Sequence, residues 1–267
     1  MPNVYITGSF DDLRSREMRF LHEASRLGNL TVFLWSDDAV RTLEGRIPKF
    51  PEAERKYLLD SIRYIRIVTP VDRTELPFPD HIRSGIWAVP AADNTPEKRL
   101  FCAARGLEYR VIPDEMLTGF PAADLPESKS PRKKVIVTGC YDWLHSGHVR
   151  FFEEVSGLGD LYVSLGSDVT IHALKGAGHP LIRQEERLYM VQSIRFVTRA
   201  FIATGSGYLD AAPEIELLKP DIFAVNEDGD RLEKREFCSE RGIEYVVSKR
   251  IPKEGLPARQ STILRGF

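Results

Sequence analysis

The sequence predicts an α/β protein made of two doubly wound parallel-sheet domains in tandem, and three observations carry that reading. First, the chain repeats itself: VYITGSFDDLRSREMRFLHEASRLGNLTVFLWSDDAVRTLEG lies without a gap over VIVTGCYDWLHSGHVRFFEEVSGLGDLYVSLGSDVTIHALKG. Gly8 falls on Gly139, Asp11 on Asp142, Phe20 on Phe151, Asp37 on Asp168 and Gly45 on Gly176. After one inserted residue ERKYLLDSIRYI matches ERLYMVQSIRFV, and EKRLFCAARGLEYRVI then matches EKREFCSERGIEYVVS, which sets Cys102 on Cys238. Second, each half alternates β-branched runs with helical periodicities. Third, FPAADLPESKSPRKK, rich in Pro, Ser and Lys, reads as a connector. The expected organisation is one domain over residues 1–120, a linker over 121–133 and a second domain over 134–267.

Each half opens on a β-branched strand (VYIT, VIVT), a Gly turn and a helix. In the second half Phe151, Val155 and Leu158 recur at i, i+4 and i+7, which gives that helix one apolar face. LGDLYVSLGSD is the next strand, with the polar SD marking its turn. EERLYMVQSIRFV has helical periodicity, and KPDIFAVN and IEYVVS read as short buried strands. Strands alternating with helices imply a parallel sheet covered on both faces, and such sheets bind ligands beyond the carboxyl ends of their strands.

Composition excludes some functions. The chain has 267 residues, 42% of them hydrophobic and 28% charged, as in ordinary globular proteins. A net charge of −2 argues against a general binder of nucleic acid or membrane surfaces. No apolar run approaches a membrane span, and MPNVYITGSFDD reads as strand and turn, not as a signal peptide. Three cysteines make no disulfide framework, so a reducing, cytoplasmic setting is expected.

The stretch GCYDWLHSGH, residues 139–148, carries the chemistry. His145 and His148 fall at the start of the helix after the first strand, three apart and so on one helical face. Gly147 leaves the backbone open to close approach, and a helix start presents unpaired N–H groups and a positive dipole end. Two imidazoles there suit an oligophosphate, because their N–H donors can meet the charge that builds on a phosphoryl group. A zinc site fits less well, since no Cys or further His stands at ligand spacing. A thiol nucleophile at Cys140 fits poorly too, since no general base is implied beside it beyond the histidines. His172 and His179 read as surface residues of a nearby loop.

On these residues the second half resembles the nucleotidyltransferases with an HxGH signature. These include glycerol-3-phosphate and ethanolamine-phosphate cytidylyltransferases and heptose-phosphate adenylyltransferases. The resemblance implies Rossmann-like nucleotidyltransferase domains, with Gly139, Cys140, Tyr141 and Gly147 against the nucleotide. LGSDVTIHALKGAGHPL is similar to the segment whose lysine contacts phosphates, here Lys175. EERLYMVQSIRFV resembles the helix whose arginines face the acceptor phosphate, here Arg187 and Arg195, with Asp142 placed beside them. PARQSTILR is similar to the late signature that holds the triphosphate, implying roles for Arg259, Ser261 and Thr262. Two departures stand out: Tyr141 replaces the family's Phe, and Arg-Gln-Ser-Thr replaces Gly-Ile-Ser-Thr.

The implied reaction is attack by an acceptor phosphate on the α-phosphorus of CTP or ATP, with Mg²⁺ accompanying the triphosphate and pyrophosphate leaving. His145, His148, Lys175 and Arg259 would supply the donor and cationic groups. Glu227 and Asp228 resemble the paired acids of cytidylyltransferase base-reading loops, which favours CTP, whereas LKGAGHPL is closer to the adenylyltransferases. The acceptor is expected to be a small phosphorylated alcohol or sugar, bordered by TGSGYLD at 204–210. In the first half Arg14, Arg16, Glu17 and Glu44 stand at the places of His145, Gly147, His148 and Lys175, and Ala123 at that of Arg259. A triphosphate there would meet like charge, so the first half reads as inactive. Asp142, Arg187 and Arg195 keep their counterparts Asp11, Arg55 and Arg63, so a structural role fits them as well as a functional one. Tandem organisation resembles ethanolamine-phosphate cytidylyltransferase, and an intramolecular pseudo-dimer or a homodimer would follow from it. A reading of another class, a non-catalytic nucleotide-binding regulator, would be expected to show decay in both halves.

Overall fold

The fold is described from a computed structural model over residues 1–72, 78–79, 81–122 and 130–264. It divides into two units, Met1–Phe120 and Pro121–Phe267. Among the described residues no helix is long and apolar enough to cross a membrane.

The first unit runs β1 (Asn3–Gly8), α1 (Ser15–Ser25), β2 (Asn29–Trp35), α2 (Asp37–Glu44), α3 (Glu52–Asp60) and β3 (Ile67–Val71). It continues through β4 (Ile86–Pro90), α4 (Pro96–Arg105) and β5 (Glu108–Ile112). Its five strands are parallel in the order β3-β2-β1-β4-β5. The second unit runs β6 (Lys134–Gly139), α5 (Ser146–Ser156), β7 (Asp160–Leu165), α6 (Asp168–Lys175), α7 (Gln184–Gln192) and β8 (Val197–Ile202). It closes with α8 (Ala212–Leu218), β9 (Ile222–Asn226), α9 (Leu232–Arg241), β10 (Glu244–Ser248) and α10 (Ser261–Leu264). The strand order β8-β7-β6-β9-β10 is that of the first unit, again all parallel.

The hydrophobic runs explain this layout. Val135, Ile136 and Val137 of central β6 are fully buried, and every residue of β7 is buried, as a sheet covered on both faces requires. In α5, Phe151 and Val155 face the core as the spacing predicts. Leu158 does not: the helix ends at Ser156, and Leu158 lies beyond it, 43% exposed. The segment EERLYMVQSIRFV is helical only to Gln192, and its final Val197 already starts β8.

Both sheets reverse direction of growth beside their first strand, between β1 and β4 and between β6 and β9. That reversal opens a crevice at the carboxyl edge, the usual place for a ligand in such sheets.

Candidate active site

The described residues at the carboxyl edge of the second sheet enclose a cavity of about 500 Å³. A second hollow of about 580 Å³ adjoins it, sharing Phe151, Asn226, Asp228, Arg250 and Gln260. The strand-turn-helix of residues 134–156 builds the floor. Tyr141, in the left-handed region at φ 52°, turns the chain back, and its buried ring packs edge-on against His148 with centroids 5.2 Å apart.

His145 is the N-cap of α5 and not a member of it. Its backbone is extended, and its Nδ1 accepts a hydrogen bond from the Gly147 N–H at 3.1 Å. An imidazole nitrogen that accepts carries no proton, so the ring's hydrogen sits on Nε2. That Nε2 is buried without a partner among the described residues. The ring stacks on His148, centroids 3.9 Å apart, and His148 Nδ1 is likewise buried and unpartnered. Gly147 is required by this arrangement. A Cβ there would lie 3.0–3.1 Å from the His145 ring and displace the capping imidazole.

Burial, reinforced by Arg250 and Arg259, holds the His145 pKa down at about 4. Burial, then His145, Arg250 and Lys175, drives His148 well below its ordinary value. Both rings are therefore neutral near pH 7; His145 offers its Nε2–H as a hydrogen-bond donor, while His148 also engages the Trp143 backbone. The positive charge around them comes from Lys175, which closes the last turn of α6 and lines the cavity, and from Arg250 and Arg259.

Several residues singled out in the sequence line these hollows. Gly139, Cys140, Tyr141 and Asp142 line the first, as do His145, His148, Lys175 and Ser261. Gly147, Glu227 and Arg259 line the second, and Asp228 lines both. Burial raises the Cys140 thiol above its ordinary pKa, which keeps it protonated and suits no nucleophile. His179, read from sequence as a surface residue, lines the first cavity, while His172 is exposed. The side chain of Thr262 and the whole of Ala123 lie outside the described residues.

Of the three acceptor-side candidates, Arg187 and Arg195 stand away from the cavity, and Asp142 stays at its wall in the structural role that fitted it equally. Arg187 is 1% exposed and points into the protein. Its Nε donates to the Ile182 carbonyl at 3.0 Å, Nη1 to Cys140 O at 2.5 Å, and Nη2 to Gly166 O at 2.9 Å and Asp168 Oδ1 at 2.8 Å. Every nitrogen of the guanidinium is spent on tying the ends of β6 and β7 to α6 and α7. Arg55 does the same in the first unit, donating to Phe50 O, Ser9 O, Trp35 O and Asp37 Oδ1. Asp142 does line the cavity, but its Oδ1 accepts the backbone N–H groups of Leu181 and Ile182 at 2.8 and 2.9 Å. Asp11 accepts those of Lys49 and Phe50 in the same way. Arg195 is exposed in the turn that leads into β8, at the amino end of that strand and away from the carboxyl edge.

Sequence reasoning missed Arg250 and Lys234, and reached Asp210 only as the last residue of TGSGYLD. Arg250 follows β10, donates to Asp228 Oδ2 at 2.7 Å through Nη1, and donates its backbone N–H to Glu227. Asp210 and Lys234 are buried and line the first cavity. The repeat held a signal for Lys234, since Lys98 matches it and lines the corresponding cavity of the first unit.

That first cavity, about 790 Å³, has different walls. Glu17, in place of His148, accepts the Arg14 backbone N–H at 3.1 Å and caps α1. Glu44, in place of Lys175, pairs with Arg46. Trp35, in place of Gly166, puts an indole into the cavity. In the second unit a Cβ at Gly166 would stand 2.7 Å from the Ile171 Cδ1 and 3.1 Å from the Asp210 carboxylate, so a side chain there would have to displace both.

Parallel strands, a glycine turn, and donors gathered at a helix start define a Rossmann-like domain built to hold a phosphate-bearing ligand. The chain belongs to the cytidylyltransferase-like family, whose sequence pattern matches residues 136–265. It is 36% identical over 117 residues to the FAD synthase of Aciduliprofundum boonei, covering 43% of this chain and 75% of that protein. It is 31% identical over 136 residues to the FAD synthase of Methanocella arvoryzae, covering 50% of this chain and 93% of that one. It is 30% identical over 139 residues to the bifunctional protein HldE of Citrifermentans bemidjiense, spanning 46% of this chain but only 28% of HldE.

Proposed function

We propose that the second unit transfers a nucleotidyl group from a nucleoside triphosphate to a small phosphorylated acceptor, releasing pyrophosphate. An acceptor phosphate oxygen attacks the α-phosphorus in line, forming one P–O bond as the bond to the β-phosphate's bridging oxygen breaks. The electron pair leaves with pyrophosphate. No covalent enzyme intermediate is needed, so the protein's work is alignment and charge neutralisation.

The observation that supports this most strongly is the His145–His148 stack. The buried His145 Nε2–H, without a partner among the described residues, stacked on His148 and held neutral beside three cations, is a preorganised donor for the oxygens on which charge develops. Lys175, Arg250 and Arg259 would neutralise the triphosphate, with Ser261 at the start of α10 beside it. The donor is taken as its Mg²⁺ complex. Among the described residues no group of three His, Cys, Asp or Glu could cage a metal, and the Asp142 oxygen at the turn is occupied by backbone. Magnesium would therefore ride on the phosphates, and removing it with a chelator would stop turnover.

We assign ATP as the donor, with CTP as the second reading. Relatives named FAD synthase make a product that contains an AMP unit. The paired acids that favour cytosine have another use here, since Asp228 binds the Arg250 guanidinium and Glu227 its backbone. The first unit, with acids at two phosphate positions, we infer to be inactive. The test is pyrophosphate release by the full chain with ATP or CTP against phosphorylated polyols and sugars. Turnover faster with ATP is expected. Turnover with CTP alone would reverse the nucleotide assignment, and no nucleotide binding at all would defeat the reading.

A further inference from the structure

With Arg187 and Arg195 turned away, the acceptor side of the cavity has to be read afresh. It is bounded by the turn ending at Asp210 and by the first turn of α9, which carries Lys234. Both residues are 8% exposed. Charges buried to that degree are ordinarily paired. These two are not: among the described residues neither makes an ion pair within 4.0 Å. The Lys234 ammonium donates only to Thr138 Oγ1 at 3.3 Å and Gly229 O at 3.5 Å, both long for a charged donor.

Their place in the cavity is specific. Lys234 spans the end of β6 and the turn after β9, where the sheet reverses its order. The Asp210 carboxylate lies over Gly166, past the end of β7. The two sense each other: burial raises Asp210 and lowers Lys234, and each partly offsets the other's shift. The imidazole pair instead senses Lys175, Arg250 and Arg259. The cavity thus has a phosphate end and, apart from it, an end with one donor cation and one acceptor anion that share space but no bond.

We propose that Asp210 and Lys234 read the non-reacting body of the acceptor, and that this body is a polyol or sugar bearing neighbouring hydroxyls. The inference rests on the nucleotidyl-transfer reading of the same cavity. One hydroxyl donates a hydrogen bond to the carboxylate while its neighbour accepts one from the ammonium, satisfying both ends at once. A phosphorylated amino alcohol would pair its ammonium with Asp210 but set it near Lys234 and leave that donor unmet.

The test is calorimetric titration of the full chain, saturated with an α,β-methylene analogue of ATP or CTP. The probes are ribose 5-phosphate, glycerol 3-phosphate and FMN, whose ribityl chain is a polyol, against phosphoethanolamine. The native protein is expected to bind at least one polyol phosphate more tightly than phosphoethanolamine. Lys234→Met and Asp210→Asn should each weaken that binding about 10–100-fold, the range of a hydrogen bond to a charged group. Their affinity for the nucleotide analogue should be unchanged. Asp210→Asn keeps the side-chain shape, so it tests the idea even if Lys234→Met fails to fold. Unaltered polyol binding in both variants, preference for phosphoethanolamine, or analogue binding without any polyol binding would overturn the proposal. Failure to bind either analogue would instead remove the nucleotidyl-transfer reading on which it stands.

Discussion

The two units differ least where the chain must hold its shape and most where a phosphate would sit. Asp11 and Asp142 pin the same backbone turn, and Arg55 and Arg187 tie the same strand ends to the same helices. At the carboxyl edge, by contrast, two stacked imidazoles and a lysine on one side face an arginine, a capping glutamate and a second glutamate on the other. Asp142 and Arg187, kept in both units, hold the scaffold. The imidazoles and Lys175, present only in the second, carry the proposed chemistry, while Lys234 is kept as Lys98 and is not sorted by this comparison. The comparison within one chain therefore sorts roles that the family resemblance alone left mixed.

The largest test of that division is on the scaffold side. Arg187→Ala would leave the carbonyls of Cys140, Gly166 and Ile182 without their donor. Removing such a buried charged partner should cost about 3–5 kcal/mol. Arg55→Ala should cost the first unit a similar amount, read by urea denaturation. If Arg187→Ala kept full stability while losing acceptor affinity, the scaffold assignment would fail. Next comes the chemistry: His148→Ala should lower turnover about 10²–10³-fold with circular dichroism unchanged. Full activity in that variant would break the site assignment.

Those two residues also show what the sequence could tell. The histidines, the glycine turn and the duplicated strand-helix pattern were legible because each is local, a matter of spacing along one segment. Arg187 was left open between scaffold and acceptor because its sequence neighbours do not show which way it points. Yet Arg187, Met190 and Val191 share a buried face at i, i+3 and i+4, and the matching Arg55 already pointed to structure. Arg250 could not be placed, and Asp210 and Lys234 were legible only as the end of TGSGYLD and as the match of Lys98, because loops and a helix far apart in sequence bring them to the cavity. Their burial exists only once the sheet has closed.

A pH series sharpens the comparison further. His145 is depressed to about 4 by burial first and then by Arg250 and Arg259, so the unfolded chain takes up its proton more readily than the folded one. Above pH 6.5 both states are neutral and the histidine contributes nothing. Between about 6.5 and 4 the second unit should lose stability at about 1.4 kcal/mol per pH unit for this residue, with His148 adding in the same direction. In the first unit burial lowers His22 in the same direction, but that is one histidine against the two of the second, so the second should be the more acid-sensitive by denaturation at pH 7 and pH 5. Equal losses in both would contradict the burial of the imidazoles. The smallest effect is expected from Glu17→Gln, which should leave turnover essentially unaltered. A marked loss there would bring the first unit into the reaction.

Position 166 decides how reversible the divergence is. The second unit leaves that spot without a side chain, and Asp210 and Ile171 close in on it; the first carries the indole of Trp35 there. Writing both histidines, the glycine and the lysine back into the first unit would still leave Trp35 lining its cavity, so those changes alone would not reproduce the walls of the second.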